Sequence, residues 1–135
     1  MLASRTRKLE SLQKIFQKLV KKSDKTIIIV EGKKDYLSLR KLGVKGKILC
    51  VKKSEKILFD ILDQVQEKEV VLLVDFDEYG RTLATSVTRY LEKKRIKVNS
   101  IFWTRIGTLL KKDVKNIEGI PSYLEKLKNS LNISN

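Results

Sequence analysis

The sequence predicts an α/β fold: three layers, α/β/α and Rossmann-like, with a four-stranded parallel sheet and a flanking helix at each end. Two stretches carry most of this. Residues 26–30 (Thr-Ile-Ile-Ile-Val) and 70–74 (Val-Val-Leu-Leu-Val) are apolar without polar alternation, the pattern of strands buried on both faces of a parallel sheet. Amphipathic helical segments stand between the strand-like runs, the order that right-handed crossovers produce. Both strong runs also stop abruptly at acids, Glu31 in one and Asp75 and Asp77 in the other.

Taken in order, residues 3–22 predict a helix. Leu9, Leu12, Ile15, Phe16, Leu19 and Val20 recur at helical spacing as one stripe, and Arg5, Arg7, Lys8, Lys14, Lys18, Lys21 and Lys22 supply charge. The stripe is expected to pack on the sheet with a solvated basic face. Two other uses stay open: the basic face along a phosphate backbone, and a homodimer through the stripe. Ser23 to Lys25 turn into the first strand.

After Glu31, Gly32 is expected to let the backbone turn closely. Residues 33–41 then fit a helix that Gly43 stops. Asp35 falls in its first turn, where the helix dipole favours an acid. Lys33 and Lys34 either hold a phosphate or balance the carboxylates. Residues 47–51 predict the second strand, with Lys52 and Lys53 at its carboxyl end. Ser54 is a good N-cap for a helix over 55–67, whose buried face is Ile57, Leu58, Ile61, Leu62 and Val65.

The third strand leads into Asp75-Phe76-Asp77-Glu78-Tyr79-Gly80-Arg81. Gly80 suits a close backbone approach at the next helix start. Arg81 either clamps a phosphate or pairs with Glu78 or Asp77. That helix runs to about Lys94 and buries Leu83, Ala84, Val87 and Leu91. Residues 98–103 predict the fourth strand, with Trp103 in the core or offered for base stacking. Arg105, Gly107, Lys111 and Lys112 read as loop, and Asp113 and Glu118 as further acids near the site. Pro121 opens a last helix over 121–131. A strand order of 2-1-3-4 is expected, because it sets Glu31 beside Asp75.

The 135 residues suit one domain, and 41% hydrophobic content argues against disorder. No apolar run approaches the roughly 20 residues that span a bilayer, and the N-terminus has no signal core, so a cytoplasmic protein without membrane contact is expected. Cys50 is alone and there is no histidine, which excludes an internal disulfide and histidine chemistry. The net charge is +14, from 30 Lys+Arg against 16 Asp+Glu. Such a surface attracts polyanions, nucleic acid first among them, unless it is only solvated.

Asp75 and Asp77, two apart on an extended chain, point the same way. Their charges repel unless a cation lies between them. A hard cation takes carboxylates together with substrate phosphates. The alternative is that Asp75 ends the strand and Asp77 or Glu78 caps the next helix. Glu31, at the same edge of a neighbouring strand, converges on these acids.

Glu31-Gly32-Lys33-Lys34-Asp35, Leu42-Gly43 and Asp75-Phe76-Asp77-Glu78-Tyr79-Gly80-Arg81 together resemble the Toprim domain. That domain is shared by bacterial-type primases, type IA and type II topoisomerases, a ribosomal-RNA maturation nuclease and OLD-family nucleases. Its motifs are a Glu-Gly after the first strand and an Asp-x-Asp after the third. The resemblance covers residues 26–103, with 1–25 as a basic helix packed on that core and 104–135 as a C-terminal loop and helix. Residues 115–121 further resemble the tail of small standalone archaeal Toprim proteins.

The resemblance implies nucleic acid as partner and Mg²⁺, or Mn²⁺ in its place, as cofactor. It implies Asp75, Asp77 and Glu31 as metal ligands and Glu31 as general acid/base. Lys33, Lys52 and Arg81 become phosphate-binding candidates, with Gly32, Asp35 and Gly80 beside them. The chain lacks the added domains of a topoisomerase or full primase, so a small nuclease or processing factor fits its length best. The alternative is a non-catalytic nucleic-acid-binding adaptor, or a subunit of a larger complex.

Overall fold

The computed structural model describes residues 2–52 and 55–131, the side chains of 55–57 excepted. The expectations for Lys53, Ser54 and Ile57 lie outside the described residues. In chain order the elements are α1 (Leu2–Ser23), β1 (Ile27–Val30), α2 (Lys33–Lys41), β2 (Ile48–Cys50), α3 (Glu55–Asp63), β3 (Glu69–Leu73), α4 (Glu78–Lys93), β4 (Lys97–Asn99), α5 (Ile101–Leu110) and α6 (Ile120–Ser130), with a 3₁₀ turn at Ile117–Gly119. The four strands are all parallel, in the order β2-β1-β3-β4. No helix among the described residues is long and apolar enough to cross a membrane.

The sheet explains why β1 and β3 carry no polar alternation. Ile28, Val30, Val71 and Leu73 face a core layer with α1, α2, α5 and α6. Ile27, Ile29, Val70, Leu72 and Val74 face the opposite layer with α3 and α4. Successive side chains point to opposite faces, so a strand covered on both sides has no position for a polar residue. At ~25 cal/mol per Å² of apolar area removed from water, these two layers supply most of the drive to fold.

The α1 stripe is used inside this core. Leu9, Leu12, Phe16 and Leu19 are buried against the sheet and against α5 and α6. The stripe thus packs on the sheet as expected, and these four apolar side chains, offered also as a possible homodimer face, are covered by the chain itself.

Two boundaries also differ from expectation. Helix α3 ends at Asp63 instead of Glu67. Lys94, the C-cap of α4, donates to the carbonyls of Leu62 and Asp63 at 3.1 and 3.0 Å, satisfying groups that a helix end leaves open. The fourth strand stops at Asn99, and Ile101–Leu110 is helical. The Asn99 side chain accepts from Ile101 N at 3.0 Å and turns the chain into α5. Trp103, Arg105 and Gly107 thus lie on a helix, and not at a strand end or in a loop. The expected stop at Gly43 does hold: its φ is +100°, and Gly43 and Val44 donate back to Arg40 and Leu39, closing α2 with a left-handed C′ residue.

Candidate metal centre

The carboxyl edge of the sheet assembles the site. Val30 pairs in register with Leu73 on one side and with Cys50 on the other. Glu31 therefore leaves β1 beside the chain that continues from β3 into Asp75. The Glu31 carbonyl accepts from Lys52 N at 2.6 Å, which ties the end of β2 to the same edge.

Three carboxylates meet there. One oxygen each from Glu31, Asp35 and Asp75 lie within 4.8 Å of one another. Glu31 is 5% exposed, and its Oε1 is buried without a hydrogen-bond partner. Burial, and then the adjacent Asp75 carboxylate, push its pKa up to about 7, against a smaller pull downward from Lys52. Asp35 is also raised, by burial first, although its bond from Gly32 opposes the change.

Each partner of Glu31 is fixed by backbone. Asp35 Oδ2 accepts from Gly32 N at 3.0 Å at the start of α2, a one-way bond because Gly32 has no side chain to return it. Asp75 Oδ1 accepts from Ile117 N at 3.0 Å, and Phe76 N donates to Lys115 O at 2.7 Å. The segment 115–119 therefore clamps the end of β3, and Ser38 of α2 holds its other side through Glu118 O at 3.3 Å. A buried acid oxygen with no donor, packed against two more acids, costs free energy as it stands. The donor set is all oxygen, which is what a hard divalent cation takes. The residues fit such an ion, with Glu31, Asp35 and Asp75 around it.

The other expected site residues fall around this cluster. Asp77 is the N-cap of α4: its Oδ1 accepts from Gly80 N at 2.7 Å. It is exposed and lies outside the three-carboxylate group. Lys52 is exposed, and its charge reaches both Glu31 and Asp35. Lys33 and Arg81 are exposed at the rim. Arg81 Nη1 lies 3.5 Å from Phe76 O, and no ion pair joins it to Asp77 or Glu78 among the described residues.

The two glycines differ. A Cβ on Gly80 would lie 2.0 Å from the Asp75 carbonyl, so only glycine lets α4 start this close to the Asp75 backbone. Gly32 has extended backbone that any residue adopts, and nothing lies within 4 Å of where its Cβ would stand. It is not there for a tight turn, as the sequence suggested. It leaves open space beside Glu31.

Asp113 is drawn away from the centre, bonded by Lys8 Nζ at 2.9 Å and by the Tyr123 hydroxyl at 3.0 Å. Trp103 is tied inward, its Nε1 donating to Val74 O at 2.8 Å and its ring stacked on Phe76. Sequence reasoning gave Asp35 a helix-dipole role first and did not foresee the bond from Ile117. An acid three residues past the helix-opening Gly32, within reach of its amide, was the available signal for Asp35.

A doubly covered parallel sheet with a carboxylate cluster at its carboxyl edge defines the class: an α/β domain with its candidate site beyond the strand ends, where three acids could hold a divalent cation. The Toprim domain matches residues 26–101, and the chain belongs to that family. Toprim domains generally bind divalent metal ions and take part in nucleic-acid chemistry. More narrowly, the chain is similar to the UPF0292 protein of Methanocaldococcus jannaschii, at 36% identity over 118 residues, 87% of this chain and 92% of that one. The UPF0292 protein of Pyrococcus furiosus is 38% identical over 120 residues, 88% of each chain. A solved structure of an Aquifex aeolicus protein shares the fold with a TM-score of 0.64 at 24% identity, over 78% of this chain and 94% of that one.

Proposed function

We propose that this chain is a divalent-metal-dependent phosphoryl-transfer enzyme acting on nucleic acid, best read as a small nuclease. The observation that carries this is Glu31 Oε1: buried, without a hydrogen-bond donor, and facing two further carboxylates. In this reading Glu31 and Asp75 hold the ion, Mg²⁺ first and Mn²⁺ in its place, with Asp35 beside them. Asp77 is the outer ligand. Its cap engages one oxygen, and a carboxylate has a second. When bound, the ion neutralises charge on the scissile phosphate and lowers the pKa of a bound water or hydroxyl.

The protein's own groups do the rest. Where Glu31 stays off the ion it is the general acid/base instead: burial and Asp75 raise its pKa to about 7, so it takes and returns a proton at neutral pH, which a carboxylate on a divalent cation does not. Lys52 is placed to meet phosphate charge beside Glu31, and Lys33 and Arg81 extend that cationic rim. The open space at Gly32 admits the substrate to the buried acid.

The test is incubation with end-labelled RNA and DNA, single- and double-stranded, in Mg²⁺, Mn²⁺ or EDTA. Wild type runs beside Glu31→Gln and Asp75→Asn/Asp77→Asn. Metal-dependent cleavage, lost in both variants, is the expected result. Binding without product, indifferent to EDTA and to the substitutions, overturns the enzyme and leaves an adaptor or subunit.

A further inference from the structure

We propose that the groove between α1 and the α5–α6 region is the path by which an unpaired nucleic-acid strand reaches the carboxylate cluster. This rests on the nucleic-acid reading above, but it concerns a surface wholly outside residues 26–101, the Toprim match. The groove encloses about 560 Å³. Arg5, Arg7, Lys8 and Lys111 supply its charge, and its one acid, Asp113, is already paired with Lys8. Leu109, Tyr123 and Leu127 give it apolar lining.

That mixture selects the occupant. A duplex turns its phosphates outward and keeps its base faces stacked. An unpaired strand offers both an anionic backbone and apolar base faces, which a basic groove with aromatic and aliphatic lining takes together.

The groove also leads to the centre. A second hollow of about 300 Å³ shares Asp113 and Tyr123 with it and continues along Lys115, Asn116 and Lys126. Its wall is the segment whose Ile117 N–H holds Asp75. From Asp113 to Ile117 is four residues, less than ~14 Å even fully extended. One further feature fits a selected surface. Lys111, at the end of α5, has φ 52° and ψ −124°, a backbone conformation that favours glycine. A lysine stands there, on the groove.

The test is fluorescence anisotropy in EDTA, so that nothing is cleaved. The probes are a fluorescein-labelled single strand, as DNA and as RNA, of about 12 nucleotides, within the ~4–16 that such surfaces occupy, and its duplex. Arg5→Ala/Arg7→Ala/Lys111→Ala is compared with Lys25→Ala/Lys45→Ala/Lys68→Ala, three exposed lysines at the opposite, amino edge of the sheet. Each phosphate contact on a single strand contributes ~0.7 to the slope of log affinity against log salt, or ~5-fold at about 0.1 M. The groove triple should lose ~100-fold and lower the slope by about 2. The edge triple should stay close to wild type, and so should the charge-keeping Arg5→Lys/Arg7→Lys/Lys111→Arg. All the substituted side chains are exposed, and circular dichroism checks each fold.

Equal losses in the groove and edge triples, no loss in the groove triple, tighter binding of the duplex, or no measurable binding each overturn the groove. The metal-dependent cleavage assay separates the two readings. Cleavage with an unchanged KM in the groove triple keeps the enzyme and removes the groove. Groove-dependent binding by a wild type that never cleaves does the reverse.

Discussion

Replacing Glu31 by Gln should make the metal-free protein more stable at alkaline pH, although it removes the central residue of the site. The folded-state pKa of Glu31 is about 7 against an ordinary 4.5. A carboxyl raised on folding holds its proton more tightly in the folded state. Below pH 4.5 the group is protonated in both states and costs nothing. Between 4.5 and 7 the unfolded chain ionises first, so stability falls as pH rises. Above 7 the full cost is present. At 1.36 kcal/mol per pH unit the cost is ~3 kcal/mol.

A glutamine carries no charge there and gives Asp75 an amide donor. Urea unfolding in EDTA at several pH values from 5 to 9 reads the effect directly. Wild type should lose up to ~3 kcal/mol across that window and level off above 7. At pH 8 the variant should exceed wild type by ~3 kcal/mol. Saturating Mg²⁺ should then raise wild type alone, by ~2.7 kcal/mol at a hundred times its Kd. A variant no more stable than wild type at pH 8 in EDTA would refute the claim that Glu31 is held buried, and beside Asp75, at a cost to its charged form.

Substitutions at three further positions test individual placements. Gly32→Ala meets no atom within 4 Å, so urea unfolding should move by less than ~1 kcal/mol while calorimetric Mg²⁺ binding or cleavage falls, because the methyl fills the approach to Glu31. Gly80→Ala places a Cβ 2.0 Å from the Asp75 carbonyl. It should lose at least the ~1–3 kcal/mol of overpacking, and metal affinity with it, where an ordinary helical Gly→Ala would gain. Asp77→Ser keeps a good N-cap and should hold stability within ~0.5 kcal/mol, whereas Asp77→Ala loses ~1. If Asp77 is an outer ligand, calorimetry on the serine variant shows weakened Mg²⁺ binding; unchanged binding confines the residue to capping.

The layers and strand order were legible because burial on both faces writes itself into unbroken runs such as Ile27–Val30, and because Glu31 and Asp75 end two such runs. The α5 helix was hidden by Ile101-Phe102-Trp103, three residues at home in strands. The spacing of Phe102, Ile106 and Leu110 carried the competing helical period, and the buried Ile106 and Leu110 won. Asp35 was visible as a residue of the first turn but not as a neighbour of Glu31, since its direction depends on one bond from Gly32. The hold of Ile117 on Asp75 joins positions 42 apart. No local pattern records a contact of that range.

That long-range bond bears on how the protein comes into being. Glu31 and Asp75 are synthesised well before the segment that fastens them, and α1 has its packing partners α5 and α6 in the last third of the chain. At ~5–20 residues per second of translation, the 42 residues from Asp75 to Ile117 take ~2–8 s. Through that interval the growing polypeptide carries its acids without the amide that seats Asp75, and its first helix without its cover. The carboxylate cluster is therefore seated only after residue 117 has been made and has folded back onto the end of β3.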